Sequence, residues 1–259
     1  MKAMISAAAL GLVGLMLKNA QANSIALYDG TQTGQPPSQG WLYYRSLLTT
    51  STTTLAAGNV GPVTLNTGVT SGNSDSAGYS NYIPTSLTTA NLANSSFPVL
   101  SPATGFDLQF TMKLDSESHS GSTDRAGFSV ILIGNDLNGV ELGFWNGQIW
   151  AQSGPSFTHT VEQETTLDPA SGFHQYDLHI QGSNYTLYAD GSSILTGPTR
   201  NYSSSGLLAY ELPNYLFLGD DTNAAQSVSE IESVSVVVPE PAMMCMVLPA
   251  LALLRRRRS

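Results

Sequence analysis

Carboxylates are the residues of this chain best suited to chemistry, and their spacing decides which chemistry. Asp115-Ser116-Glu117 and Glu162-Gln163-Glu164 each set two carboxylates on one face of a strand. Acid–base cleavage needs two such groups flanking the scissile bond, about 5 Å apart when one acts as nucleophile. Both strings stand beside Ser-, Thr- and Gly-rich sequence and lack a third carboxylate, so they read as solvated acidic strand ends. The sequence contains no Gly-x-Ser-x-Gly elbow, no His-Glu-x-x-His and no phosphate loop. His174 and His179 lie five apart on an alternating strand and face opposite sides. His119 and His159 are isolated, at the surface or an edge.

Two further groups are candidates for binding. Asp220-Asp221-Thr222-Asn223 collects the oxygens that Ca²⁺ takes in loops, so Asp220, Asp221 and Asn223 are the calcium candidates. The same residue types also form turns for their own backbone bonds. Asp124 would join them only through tertiary contact. Trp145 and Trp150 flank Asn146-Gly147. A two-residue turn there makes Trp145 and Gln148 neighbours and sets Trp150 opposite Gly143, on the same face as Trp145. The two rings either stack on a sugar or fill the core.

Strands and turns must position these groups. Phe106, Leu108, Phe110, Met112 and Leu114 alternate with mostly polar residues, the mark of a half-buried strand. Phe128 to Ile133 is continuously apolar, which suits a central strand covered on both faces. Asn146-Gly147 and Asp190-Gly191 predict two hairpins with type I′ turns. His174, Tyr176, Leu178 and Ile180 share a face, and Tyr215 to Leu218 and Val228 to Val238 close the body. The Ser-, Thr- and Asn-rich stretch from Gly30 to Leu100 holds short β-prone pieces at Trp41–Tyr44, Val60–Leu65 and Tyr79–Ile83. It reads as the first strands of the same sandwich. Many short strands with closely spaced turns predict an all-β antiparallel β-sandwich of the jelly-roll kind.

The ends of the chain have a different character. Lys2, the apolar run Ala3 to Leu17 and Ala20-Gln21-Ala22 form an export leader with a small-x-small cleavage site after Ala22. Residues 1–22 are therefore expected to be removed. Residues 23–238 are expected to form one sandwich domain, and 239–259 a tail. In that tail Pro239, Glu240 and Pro241 precede an apolar run, Ala242 to Leu254, and then Arg255, Arg256, Arg257 and Arg258. As a helix the run reaches only about 20 Å against roughly 30 Å of hydrocarbon, enough for temporary retention, with the arginines on the cytoplasmic side.

Between the two ends, four basic residues (Arg45, Lys113, Arg125 and Arg200) face 18 acidic ones, a formal charge of −14. Such a surface excludes a nucleic-acid partner. The sole cysteine, Cys245, lies in the tail, so the body has neither disulfides nor thiol chemistry.

Val238-Pro239-Glu240-Pro241, the apolar run and the four arginines resemble the PEP-CTERM sorting signal of bacterial surface proteins. That resemblance implies an exosortase-type enzyme and signal peptidase as processing partners, transient membrane association and a link to extracellular polysaccharide. Phe173 to Leu178, Tyr185 to Gly191 and Leu216 to Asp221 resemble the concanavalin A-like and laminin-G-like sandwich. The whole body is similar to the "choice-of-anchor" group of exported domains, which has no settled activity. Glycosidases of this fold place Glu-x-Asp-x-x-Glu on one strand, a run missing here. The expected protein is therefore not an enzyme. It is an exported cell-surface or matrix protein that binds glycan or protein; a secreted glycan-active hydrolase and a purely structural matrix component are the alternatives.

Overall fold

Period-two burial organises the longest regular segments. Between Phe106 and Ser118 the apolar residues Phe106, Leu108, Phe110, Met112 and Leu114 are all buried, while the residues between them are half-exposed. This is the computed structural model of the chain; residues 22–68 and 75–240 are described. Ser24–Val238 form one unit. Met1–Asn23 and Pro239–Ser259 form a second, in which Ala22, Asn23, Pro239 and Glu240 are the described residues.

In chain order the strands are β1 (Ala22–Asp29), β2 (Tyr43–Ser46), β3 (Thr52–Leu55), β4 (Val63–Asn66), β5 (Ala77–Ser80) and β6 (Tyr82–Pro84). Next come β7 (Ala90–Leu92), β8 (Phe106–Ser118), β9 (Phe128–Ile133), β10 (Asn138–Trp145), β11 (Gln148–Gln152) and β12 (His159–Glu164). The last six are β13 (His174–Gln181), β14 (Asn184–Ala189), β15 (Ser192–Pro198), β16 (Arg200–Asn201), β17 (Leu216–Asp220) and β18 (Gln226–Pro239). Pro36–Gln39 and Leu208–Glu211 are short 3₁₀ helices.

The strands form the expected all-β antiparallel sandwich. One sheet runs β15-β14-β13-β8-β18-β4-β3, with β1 also on β18. The other runs β12-β11-β10-β9-β17-β5-β2, with β16 also on β10. Strands from the polar first third extend both sheets, and β6 and β7 pair as a separate hairpin. The predicted piece Tyr79–Ile83 divides at Asn81. The Asn81 side chain donates to the carbonyl of Asn214 and accepts from the amide of Leu216, which takes it out of either ladder.

The main core lies between the two sheets. Phe110 stacks on Tyr176 at 5.0 Å and meets Phe144 edge-on at 6.3 Å. Those rings come from β8, β13 and β10, so one aromatic contact set ties the sheets together. β9 is buried on both faces, as its continuous apolar run predicts. Phe128, Val130 and Leu132 enter the main core. Ile131 and Ile133 face outward into a second cluster with Tyr82, Tyr202, Tyr210, Tyr215 and Phe217.

Both predicted hairpins form, with different turns. Asp190 (φ 50) and Gly191 (φ 80) both take positive φ, as a type I′ turn requires. At Asn146-Gly147 only Gly147 (φ 73) does so, which corrects the type I′ expectation there. The register is nevertheless the predicted one, with Trp145 opposite Gln148 and Gly143 opposite Trp150. Tertiary bonds hold this turn: Asn146 donates to the carbonyl of Glu117, and the Gly147 amide donates to Asp168.

Truncating Phe110 to Ala removes the ring at the centre of the inter-sheet contact. Chemical denaturation should register a loss of about 3–5 kcal/mol, the range for a buried Phe leaving a cavity. A loss below about 1 kcal/mol would mean that the sheets are not joined through this ring.

Candidate functional site

The outward face of the second sheet carries the site. Along β10, Val140, Leu142 and Phe144 point into the main core, so alternation turns Glu141 outward. An exposed glutamate is the usual outcome on such a face, yet Glu141 is 1% exposed. The cover is the segment from Tyr202 to Tyr215. The Tyr202 amide donates to the carbonyl of Leu137, and Tyr82 donates its hydroxyl to the carbonyl of Pro213, which fixes both ends of that segment. Tyr210 packs between Tyr202 at 5.2 Å and Phe157 at 4.8 Å.

Tyr210 lies above two carboxylates. Its hydroxyl is 2.6 Å from Glu141 Oε2 and 3.1 Å from Asp221 Oδ2. A phenol has one proton to donate, so it serves one carboxylate at a time. The two acids are therefore closer together than the roughly 6.5–9.5 Å that leaves room for a water between acid and base. Burial pushes the Glu141 carboxyl well above its usual range, and the Asp221 charge pushes it further; Tyr210 and Arg125 pull it back in part. Burial also raises Asp221, opposed by hydrogen bonds from Ser129 and Tyr210 and by the charge of Arg125. Two close carboxylates cannot both ionise cheaply. Both carboxyls are pushed up, and Glu141, the less accessible of the two, is pushed the further.

Asp221 and Tyr210 line an open cleft of about 370 Å³. Its rim is aliphatic, with Leu47, Leu87 and Leu207 arriving from three separate loops, all exposed. Arg45 and Arg125 line the same cleft. Arg125 is fixed, donating to the carbonyls of Asp124 at 2.6 Å and Phe157 at 2.5 Å. A Cβ on Gly78 would stand 2.6 Å from the Phe217 ring, so the missing side chain there is what lets Phe217 lie across β5 in the cleft wall.

Asp220, adjacent to Asp221, also lines the cleft and is fully buried. Burial pushes Asp220 up to about 9, relieved in part by the Thr222 amide. Asp75 is buried nearby and held down to about 2. Its burial is outweighed by hydrogen bonds from Ser46 and from the amides of Leu48, Thr50 and Ser51. Among the described residues, no group of three or more His, Cys, Asp or Glu side chains could hold a metal ion. Asn223, the third calcium candidate, is exposed just past β17.

The other sequence candidates are placed as follows. Trp150 is buried, with its ring over Gly143, where a Cβ would stand 2.6 Å away. Its face is therefore closed to a sugar. Trp145 is half-buried; its Nε1 donates to the carbonyl of Arg125, and its ring stacks on His119 at 4.2 Å. His159 lies 5.3 Å from Trp145 and 4.5 Å from Trp150, and burial lowers its pKa. His174 and His179 pair with Asp190 and Asp107 respectively.

Glu117 is not the solvated strand end that its sequence suggests. It is buried, accepts from His119 and Gly127, and burial raises its pKa. Glu162 accepts from Tyr185 at 2.6 Å and Arg200 at 2.9 Å. Ala22 begins β1 and Pro239 ends β18, and Glu240 is exposed. Ala20, Pro241, Cys245 and Arg255, Arg256, Arg257 and Arg258 lie outside the described residues. Among the described residues no helix is long and apolar enough to cross a membrane.

Sequence reasoning missed Tyr210 and Arg125 as site residues, and reached Glu141 only as one of three glutamates, with Glu162 and Glu164, to be tested for hydrolysis. The one signal on offer was a lone glutamate in the apolar run of β10.

No protein-family model matches the chain. No curated protein matches it either. Solved structures do. A carbohydrate esterase from the Shiga toxin-encoding bacteriophage phi24B is 12% identical with a TM-score of 0.51, covering 84% of this chain and 100% of that one. A non-specific endo-β-1,3(4)-glucanase of family GH16 is 14% identical with a TM-score of 0.48, covering 84% and 92%. A Bacillus licheniformis β-glucanase is 9% identical with a TM-score of 0.44, covering 82% and 97%. What these share with the chain is the jelly-roll sandwich of the concanavalin A-like kind.

The expectation that the protein is not an enzyme is overturned by the likeness to the carbohydrate esterase, which has this same fold. That expectation rested on the sorting tail, the acidic cysteine-free body and the missing catalytic motifs, among them the run of carboxylates along one strand. The fold brings together two carboxylates, Glu141 on β10 and Asp221 just past β17, on the Tyr210 hydroxyl.

The titration of Asp220 has a consequence for stability. Its folded pKa stands above its unfolded value of 3.8. As pH rises from about 4 to about 9, the unfolded chain releases this proton and the folded chain keeps it, so stability falls across that window. Asp220→Asn removes the titration. Thermal midpoints should rise for this variant at pH 8 and stay close to the parent at pH 4. Equal midpoints at pH 8 would show that Asp220 is ionised in the folded state.

Proposed function

We propose that this protein is an exported hydrolase acting on a glycan, with Asp221 as the carboxylate that meets the substrate. The observation that carries the reading is the Glu141–Tyr210–Asp221 cluster at the wall of an open cleft. A cluster built only for stability gains little from two buried carboxylates in contact, since their mutual repulsion costs free energy. Perturbed acids facing a cleft are the usual sign of proton-transfer chemistry. The fold likeness to the phage carbohydrate esterase supports a carbohydrate substrate.

In this reading Asp221 takes a proton from the attacking water. Tyr210 gives its proton to the leaving oxygen as the bond to it breaks, and protonated Glu141 refills the phenol. Glu141 then recovers the proton held by Asp221, so the site returns to its starting state with one water consumed. Glu141 is covered and touches no substrate; it is a positioning residue and proton store. Arg125 offsets the charge that the pair carries.

The same proposal places the protein outside the cell. Its support is the leader ending at Ala20-Gln21-Ala22 and the tail of Pro239, Glu240, Pro241, apolar run and Arg255 to Arg258, which resembles the PEP-CTERM signal. Signal peptidase and an exosortase-type enzyme are the processing partners in this scheme, with transient retention in the inner membrane and extracellular polysaccharide as the setting.

Polysaccharide panels scored for new reducing ends and for released acyl acid test the activity. Asp221→Asn should abolish turnover. Tyr210→Phe and Glu141→Gln should lower kcat by about 10²-fold or more, the usual share of general acid–base catalysis. Activity should fall at low pH as Asp221 takes up a proton and at high pH as Glu141 loses its own. Glu141→Gln should remove the alkaline limb, which a purely structural role would leave in place. Turnover unchanged in Asp221→Asn rules out this site.

A further inference from the structure

The four cations of the body have different fates. Lys113 is paired with Asp115 at 2.5 Å, and Arg200 with Glu162 at 2.9 Å. Arg125 is committed to two carbonyls and faces the Glu141–Asp221 pair, whose pKa values its charge lowers. Arg45 is exposed, and among the described residues its guanidinium has neither an ion pair nor a hydrogen bond. It lines the same cleft as Asp221, Tyr210 and Arg125.

The charges of the cleft can therefore be assigned. Burial holds Asp220, which also lines the cleft, up at about 9 and pushes Glu141 well above its usual range, so in the proposed protonation state Arg125 and Asp221 offset one another and Arg45 is the surplus. A body with 18 acidic and four basic residues has thus placed two of its four cations at one cleft and left one of them unpartnered. A surface arginine in so acidic a chain has carboxylates to pair with elsewhere. Here it instead lines the cleft that Asp221 also lines, within an apolar rim, where water screens it less than on open surface.

We infer that the cleft accepts an anionic sugar unit, whose carboxylate or sulfate is bound by Arg45 next to the bond that Asp221 acts on. This deepens the proposed function and rests on it. The planar guanidinium fork matches either oxyanion in a bidentate way. The body's negative field does not forbid this, since exposed charges beyond about 8–10 Å are largely screened at physiological salt. It does set a selection rule: a polyanion is repelled over the general surface and is accepted where the cation lies.

Binding and cleavage separate the inference from the reading beneath it. Full-length chain carrying Asp221→Asn, which does not consume substrate, is titrated with a polyuronate, a sulfated glucan and an unsubstituted glucan, with and without Arg45→Gln and Arg45→Lys. The expected result is binding of at least one anionic polymer, weakened about tenfold or more by Arg45→Gln. Arg45→Lys should recover part of that loss, and the unsubstituted glucan should not respond to either change. The polyuronate and sulfate arms tell which oxyanion is read.

Preference for the unsubstituted glucan, no binding of either polyanion, or polyanion binding indifferent to Arg45→Gln would overturn the inference. Cleavage by the parent chain is scored on the same three polymers. Asp221-dependent cleavage of the unsubstituted glucan alone would leave the hydrolase standing and remove the anion subsite. Arg45-dependent binding of a polyanion without cleavage of any polymer would do the reverse.

Discussion

Burial of β9 on both faces is the constraint on which the rest of the structure depends. A strand reading Phe-Ser-Val-Ile-Leu-Ile cannot leave its second face in water without exposing Ile131 and Ile133. The sandwich core covers only the face of Phe128, Val130 and Leu132. Something must cover the other, and the segment from Tyr202 to Tyr215 does so with three tyrosines and a short 3₁₀ helix. Each large apolar side chain removed from water contributes on the order of 1.5–3 kcal/mol, so the cover forms for reasons of packing.

The buried acid cluster follows from that cover as a by-product of its position. The segment that shields Ile131 also shields its cross-strand neighbour Glu141. A carboxyl taken out of water must find partners or keep its proton, and Glu141 does both, through Tyr210 and the adjoining Asp221. The cover stops short of the end of β17, which leaves Asp221 at the cleft. One packing requirement thus yields a covered carboxyl below and a half-buried one at the cleft above. Arg125, anchored on the carbonyls of Asp124 and Phe157, supplies the fixed positive charge that keeps such an arrangement affordable.

Tyrosine suits this cover better than phenylalanine would. Tyr82 reaches the carbonyl of Pro213 and Tyr210 reaches the acids, so these two rings fill space while their hydroxyls satisfy polar groups; the Tyr202 hydroxyl is buried without a hydrogen-bond partner. Tyr28 and Tyr185 use the same device in the other parts of the sandwich, on the carbonyl of Gly61 and on Glu162. With few charges and no body cysteine, the chain relies on phenols to link burial to hydrogen bonding.

Periodicity was enough to read the sandwich. The alternation of Phe106 to Leu114, the unbroken run Phe128 to Ile133 and the Asp190-Gly191 turn each predicted a local structure that formed, because side-chain period and turn geometry are properties of neighbouring residues. The sequence by itself also determined the scarcity of cations. What it could not determine was which residues meet from distant strands. Glu117 looked solvated and its side chain is buried, Trp150 could stack on a sugar or fill the core and fills the core, and Glu141 stood out no more than Glu162 or Glu164. Asp221 lies 80 residues further along the chain than Glu141, and Tyr210 comes from neither strand. Only tertiary structure decided their meeting, since a carboxyl's pKa depends on desolvation and charge within a few ångströms, and those neighbours are set by the packing of the covering segment.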